Sequence, residues 1–213
     1  MRDAILLQYA SGELHFQMIA VTRPRHQLYA ERHGCDYRCR DTLEPLTADF
    51  GWVRWEMLLD AFVAGYETAV YLESDTCVHD LSVDFRSAVP PGRPPLAMKY
   101  NRVPGGEPWH YQTGMIIARN DPAAIAFCEA VMREKPSPSP GEETCAWWER
   151  ERCQQVIANR LLAGNEWSAI VTKLDERWNS IEPMDGMIVR AWHGRGPERH
   201  KLDEMRTYIE GAI

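Results

Sequence analysis

The sequence predicts an α/β fold with parallel crossovers, on three observations. Short apolar runs of strand length alternate with stretches of helical periodicity. The clearest helix, residues 52–64, feeds through Gly65 straight into a strand containing the run TAVYL, as a parallel crossover requires. That strand ends abruptly in two acids one residue apart, Glu73 and Asp75. In open α/β sheets, ligands bind beyond the carboxyl ends of the strands. A chain of 213 residues with 45% hydrophobic content suits a single domain with a sizeable core.

In chain order, residues 4–9 (AILLQY) form the first apolar strand. Helical spacing follows over residues 12–32, carried by Phe16, Ile19, Ala20, Leu28 and Tyr29. Pro24 is expected to interrupt or restart that helix, and His33-Gly34 to end it. Residues 35–40 (CDYRCR) read as a short second strand. In the helix over 52–64, Trp55, Leu58, Leu59, Phe62 and Val63 make one apolar face. Ala69, Val70, Tyr71 and Leu72 then read as a buried strand. After a rigid turn over residues 89–95, residues 96–100 and 110–118 read as strands separated by a Gly-Gly loop.

Asn120 or Asp121 caps the next helix, with Pro122 in its first turn and Ile125, Cys128, Val131 and Met132 facing the core. Residues 134–143 are Pro/Ser-rich and read as an exposed loop. The following helix carries Trp147, Trp148, Val156, Ile157, Leu161 and Leu162. A strand over 170–174, a turn over 175–179, a strand over 187–192, a Gly-containing loop over 193–200 and a helix over 201–209 complete the chain.

Composition narrows the function classes. A net charge of −7 gives no sign of a nucleic-acid-binding surface. No apolar run is long enough to span a membrane, and the opening residues lack a signal peptide's layout. Six scattered cysteines read as reduced thiols, and Cys35 and Cys39 lack a second pair for a zinc site. These features predict a soluble cytoplasmic protein. Acids at a strand's end need a cation or polar partners. A divalent cation shared with a diphosphate suits Glu73 and Asp75, because Mg2+ and Mn2+ prefer oxygen ligands. The plainer reading makes the two acids the start of a solvated turn.

The segment WVRWEMLLDAFVAGYETAVYLESDT resembles the nucleotide-sugar-dependent glycosyltransferases of the GT-A fold. Within them it is most similar to the α-galactosyl-, α-mannosyl- and xyloglucan xylosyltransferases. Counterparts of that family's motifs run in order: HGCDY, Trp52-Val53-Arg54, Glu73-Ser74-Asp75, Gln112-Thr113-Gly114, Arg119-Asn120, and His193-Gly194-Arg195-Gly196-Pro197-Glu198-Arg199. Glu73 stands where the family's DxD motif has Asp, and Arg54 where it has Lys. The family's Asp-Asp-Gln falls on Cys153-Gln154-Gln155.

The resemblance implies a mixed, mostly parallel sheet flanked by helices, and a metal-dependent transferase. It would move a hexose or pentose from a nucleoside diphosphate sugar, with UDP the expected nucleotide, to an acceptor hydroxyl with retention. Asp75, His193 and Glu73 would hold Mn2+ or Mg2+. Tyr9, Arg54, Glu73, Ser74, Arg199 and Lys201 would contact the donor. Gln155, or Gln112 as second candidate, would face the anomeric centre. Trp109 could line the acceptor cleft, while Trp52, Trp55, Trp147, Trp148 and Trp178 read as core. The acceptor is a glycan or other hydroxyl compound, or alternatively a hydroxylated DNA base. A nucleotide-sugar-binding protein without turnover is the rival reading. An aspartyl-phosphate phosphatase is disfavoured, because Glu73 occupies the place of its Asp nucleophile.

Overall fold

The computed structural model describes residues 2–42, 51–101, 111–135, 154–164, 166–192 and 198–211, and leaves the side chains of residues 2, 42, 198 and 199 out. A six-stranded sheet has the order β2-β1-β3-β6-β5-β7. Its strands are β1 (Arg2–Ser11), β2 (Asp36–Thr42), β3 (Tyr66–Leu72), β5 (Leu96–Tyr100), β6 (Tyr111–Arg119) and β7 (Val171–Leu174). Five run the same way and β6 runs against them. This is the mixed, mostly parallel sheet that the resemblance implied.

Alternation along the strands divides the core between the two faces. Ile5, Leu7 and Tyr9 join α2 (Val53–Val63), α3 (Pro122–Arg133) and α4 (Gln154–Ala163) on one side. Leu6, Val70, Leu72, Met115 and Ile117 pack with Tyr29, Phe85 and Trp178 on the other. Helix α1 (Glu13–His33) meets α5 (Glu198–Glu210) through a third cluster that includes Met18, Leu202 and Met205.

Two expectations need correction, and a third feature was not anticipated. Helix α1 runs unbroken through Pro24, although a mid-helix proline costs about 3 kcal/mol. Tertiary anchors just beyond the proline offset that cost. Arg25 donates to the carbonyls of Val78 (2.6 Å) and His79 (2.5 Å). His26 accepts from the Val78 amide (3.2 Å), and the Tyr29 hydroxyl from the Phe85 amide (2.9 Å). Second, Val63 is 90% exposed. Eight residues past Trp55 the helix has turned about 80° away from the direction of Trp55, past the edge of the buried face. Third, residues 76–78 form a strand of their own, β4 (Thr76–Val78), antiparallel to β8 (Val189–Ala191). Three residues are too short a run for periodicity to reveal.

The capping expectations held. Gly34 ends α1 at φ 63, and Asp121 caps α3 by accepting from the Ala123 amide at 2.9 Å. Trp52, Trp55 and Trp178 are buried. Trp109, Trp147 and Trp148 lie outside the described residues, as does most of the Pro/Ser-rich segment. Among the described residues, no helix is long and apolar enough to cross a membrane, and Cys35, Cys39, Cys77 and Cys128 are free thiols.

Candidate active site

Strand order locates the site. The chain places β2 on one side of β1 and β3 on the other, so the crevice at the carboxyl ends of β1 and β3 is a topological switch point. The Glu73–Ser74–Asp75 turn lies there. Because β6 is reversed, its first residues reach the same end, with Met115 opposite Leu72. The Glu73 amide donates to the Gly114 carbonyl at 2.9 Å.

The turn is fastened from every side. The Glu73 carbonyl accepts from the Thr76 hydroxyl (2.7 Å) and from Gln8 Nε2 (3.3 Å). The Asp75 carbonyl accepts from the Trp192 amide at 3.0 Å. Ser74, which is buried, hydrogen bonds through Oγ to Nδ1 of His15 in the first turn of α1 at 2.6 Å.

A buried relay continues behind Gln8. Its Oε1 accepts from the Tyr37 hydroxyl (2.8 Å) and bonds His26 Nδ1 (2.8 Å). Since the Val78 amide donates to His26 Nε2, the proton of the neutral ring sits on Nδ1. Burial, helped by the nearby Arg25 charge, pushes the His26 pKa down from 6.5 to about 3. The ring is therefore a neutral strut at physiological pH.

The two acids differ in environment. Glu73 Oε1 is 2.6 Å from Nη2 of Arg54, whose side chain is only 3% exposed. Arg54 is thus a buried counter-ion to Glu73. Its Nη1 donates to the Thr113 carbonyl (2.6 Å) and hydroxyl (3.0 Å), and its Nε to the Gly51 carbonyl (2.9 Å). The guanidinium lies 5.2 Å from the centre of the Tyr71 ring. Asp75 is shielded, its side chain 12% exposed, with Lys201 Nζ at 3.8 Å. That separation is an ion pair but too long for a hydrogen bond.

Thr113 is the hub of the remaining network. Its hydroxyl also accepts from Gln154 Nε2 (2.8 Å) and donates to Gln155 Oε1 (3.1 Å), which the Thr113 amide approaches at 3.3 Å. Gln154 in turn accepts from the Trp55 indole at 2.9 Å. The amide N–H fixes oxygen as the Gln155 atom facing Thr113.

Among the expected site residues, the structure joins Arg54, Glu73 and Gln155 in one network and sets Asp75 beside Lys201. Tyr9 is buried in the core on the α2 side of β1. Gln112 points to the other face of β6 from Thr113 and accepts from Asn179 Nδ2 at 3.0 Å. His193 and the Arg199 side chain lie outside the described residues. Thr113, Gln154, Gln8, His15 and His26 were not singled out from sequence. Thr113 sits inside the Gln-Thr-Gly motif, a usable signal. Gln154 falls inside the Cys153-Gln154-Gln155 counterpart, but adjacent glutamines on a helix look solvated.

Among the described residues, no group of three His, Cys, Asp or Glu side chains converges as a metal site. The donors present are the hard oxygens of Asp75 and Glu73, with one Glu73 oxygen committed to Arg54. This set suits Mg2+ or Mn2+ shared with phosphate oxygens better than a soft metal.

No protein-family model matches the sequence. No curated protein matches it either. Solved structures do. A glycosyltransferase involved in glycosylation of the major capsid of PBCV-1 superposes with TM-score 0.65 at 12% identity, covering 96% of this chain and 98% of that one. The galactosyltransferase LgtC, in complex with donor and acceptor sugar analogues, gives TM-score 0.55 at 11% identity, covering 98% and 96%. The glycosyltransferase GlyE of Streptococcus pneumoniae TIGR4 gives 0.52 at 12% identity, and the match covers 97% of this chain and 62% of GlyE. These likenesses establish the fold as that of the GT-A glycosyltransferases.

Proposed function

We propose that the chain is a glycosyltransferase that moves a hexose or pentose from a nucleoside diphosphate sugar, UDP being the first candidate, to an acceptor hydroxyl. The activity of the structural neighbours supports the reading, as does the motif resemblance to the α-galactosyl-, α-mannosyl- and xylosyltransferases. The observation that carries it is the shielded Asp75, at the switch point of a GT-A sheet and paired with Lys201.

Breaking the C–O bond to a diphosphate leaves negative charge on the leaving group. Lys201 and Arg199 are assigned to hold that charge. Asp75, with His193 and Glu73, would hold Mn2+ or Mg2+, which when bound supplies Lewis-acid neutralisation of the diphosphate. Arg54 fixes Glu73 in direction through their ion pair. Gln155 is assigned to the sugar face opposite the leaving group. An amide is too weak a nucleophile for an ordinary covalent intermediate, so its role is to stabilise an oxocarbenium-like state, consistent with retention.

The test is a panel of UDP- and GDP-sugars with and without Mn2+, followed by donor consumption and thermal stabilisation, in the parent chain and in Asp75→Ala. Cation-dependent turnover by the parent and its loss in a folded Asp75→Ala variant are expected. Full activity in Asp75→Ala would refute the assignment, and stabilisation without turnover would leave a binding protein instead.

A further inference from the structure

The two acids of the turn are matched by two different kinds of cation. Arg54 is fixed. Its Nη2 meets Glu73 at 2.6 Å, while Nη1 and Nε are committed to the Thr113 and Gly51 carbonyls. A planar guanidinium held through three nitrogens has no freedom to leave. Lys201 is held far less. Its ammonium stands 3.8 Å from Asp75 Oδ2, an ion pair without a hydrogen bond. It is a compact charge on a flexible stem. The backbone of Asp75, by contrast, is tied down. Its carbonyl accepts from the Trp192 amide at 3.0 Å, and the Glu73 carbonyl accepts from Thr76 and Gln8. Any rearrangement of the pair therefore falls to the lysine.

Burial sets the terms of that rearrangement. The Lys201 and Asp75 side chains are 15% and 12% exposed, so each is within reach of a ligand but poorly solvated. A carboxylate so shielded is costly without a counter-charge. Lys201 can leave Asp75 only as another cation takes its place. Conversely, a divalent cation arriving alone meets an acid that already has a partner, beside a second acid neutralised by Arg54. A diphosphate changes that balance, because its charge attracts the same ammonium.

We infer that Lys201 is an exchangeable counter-ion, shared between Asp75 and the donor's diphosphate, and that this exchange makes the divalent cation and the diphosphate bind as a pair. The inference rests on the glycosyltransferase reading, which assigns Asp75 to the cation and Lys201 to the diphosphate. The diphosphate draws Lys201 off Asp75 and opens the carboxylate to the cation. Lys201, once replaced at Asp75, is released to the diphosphate. By linkage each ligand strengthens the other by the same factor, typically about five- to 150-fold.

The test measures each ligand alone on the full chain, with no turnover required. Electron paramagnetic resonance reports Mn2+ binding without nucleotide, and calorimetry in EDTA reports UDP binding without cation. Lys201→Met should bind Mn2+ roughly tenfold more tightly than the parent and UDP roughly tenfold more weakly. Lys201→Arg, which keeps the charge, should retain the parent's weak Mn2+ binding. Arg206→Met controls for charge alone: Arg206 lies on the same helix, exposed and paired with Asp203 at 3.7 Å. Its loss should leave the Mn2+ Kd within about twofold of the parent's, because exposed charges are screened. Mn2+ affinity unchanged or lowered in Lys201→Met would overturn the exchange, as would equal tightening in Arg206→Met. Undiminished Mn2+ binding by Asp75→Ala would sink the cation assignment under the glycosyltransferase reading, and the exchange with it. If Mn2+ binding needs Asp75 but ignores Lys201, only the exchange fails. Opposite shifts for Mn2+ and UDP in a chain that turns over no donor would uphold the exchange in a binding protein and remove the transferase reading alone.

Discussion

Protonating His26 should unfasten the acidic turn, and the size of the effect follows from its surroundings. In the folded chain the ring is neutral, with a pKa near 3 against 6.5 when unfolded. Below pH 6.5 the unfolded state binds a proton that the folded state refuses, so stability is complete above 6.5 and drains away as the pH falls toward 3. At about 1.4 kcal/mol per pH unit, the loss at pH 5 is about 2 kcal/mol from this residue. Its approach to pH 3 would cost about 5 kcal/mol, a large share of a typical domain's stability.

Urea unfolding of the parent and of His26→Gln at pH 7.5 and pH 5 would isolate the term. The variant starts lower, since it disturbs the bonds to Gln8 and the Val78 amide. Its drop between the two pH values should nevertheless be smaller than the parent's by about 2 kcal/mol. Equal drops would show that His26 is not the neutral buried strut described above.

Other expectations are open to direct measurement. Arg54→Met should cost about 2–4 kcal/mol by stranding Glu73. Adding Glu73→Gln should recover part of that loss in urea midpoints, and strict additivity would contradict the pairing. Asp121→Ala should lower stability by about 1 kcal/mol through loss of the α3 cap, a cost that an unchanged midpoint would disprove. Lys201→Met should raise the donor KM about tenfold, the equivalent of about 1.4 kcal/mol, with the fold intact by circular dichroism. A donor KM within twofold of the parent's would remove Lys201 from the diphosphate site.

The architecture was readable in the sequence because its signals are local. The TAVYL run ends where its acids begin, and the face of Trp55, Leu58 and Phe62 repeats with helical period, so strand, crossover and site end all follow. Longer-range outcomes were hidden. The length of α1 depends on Arg25, His26 and Tyr29 finding backbone partners more than fifty residues away. The burial of Arg54 and Gln154 depends on β6 arriving reversed beside β3, which no spacing encodes. Asp75 was legible as a site candidate because an acid closing a buried strand is conspicuous. Its pairing with Lys201 was not, because 126 positions separate the two in the sequence.

The reversed strand also has a bearing on biogenesis. On the ribosome, β1, β2 and β3 emerge together, yet the neighbour that satisfies the outer edge of β3 is synthesised some forty residues later, after β5. Until then an apolar strand faces the cytosol or lumen with its backbone groups open to any other extended chain. A fragment ending near residue 100 should accordingly form soluble aggregates or bind holdase chaperones, and supplying residues 111–119 as a peptide should suppress that association.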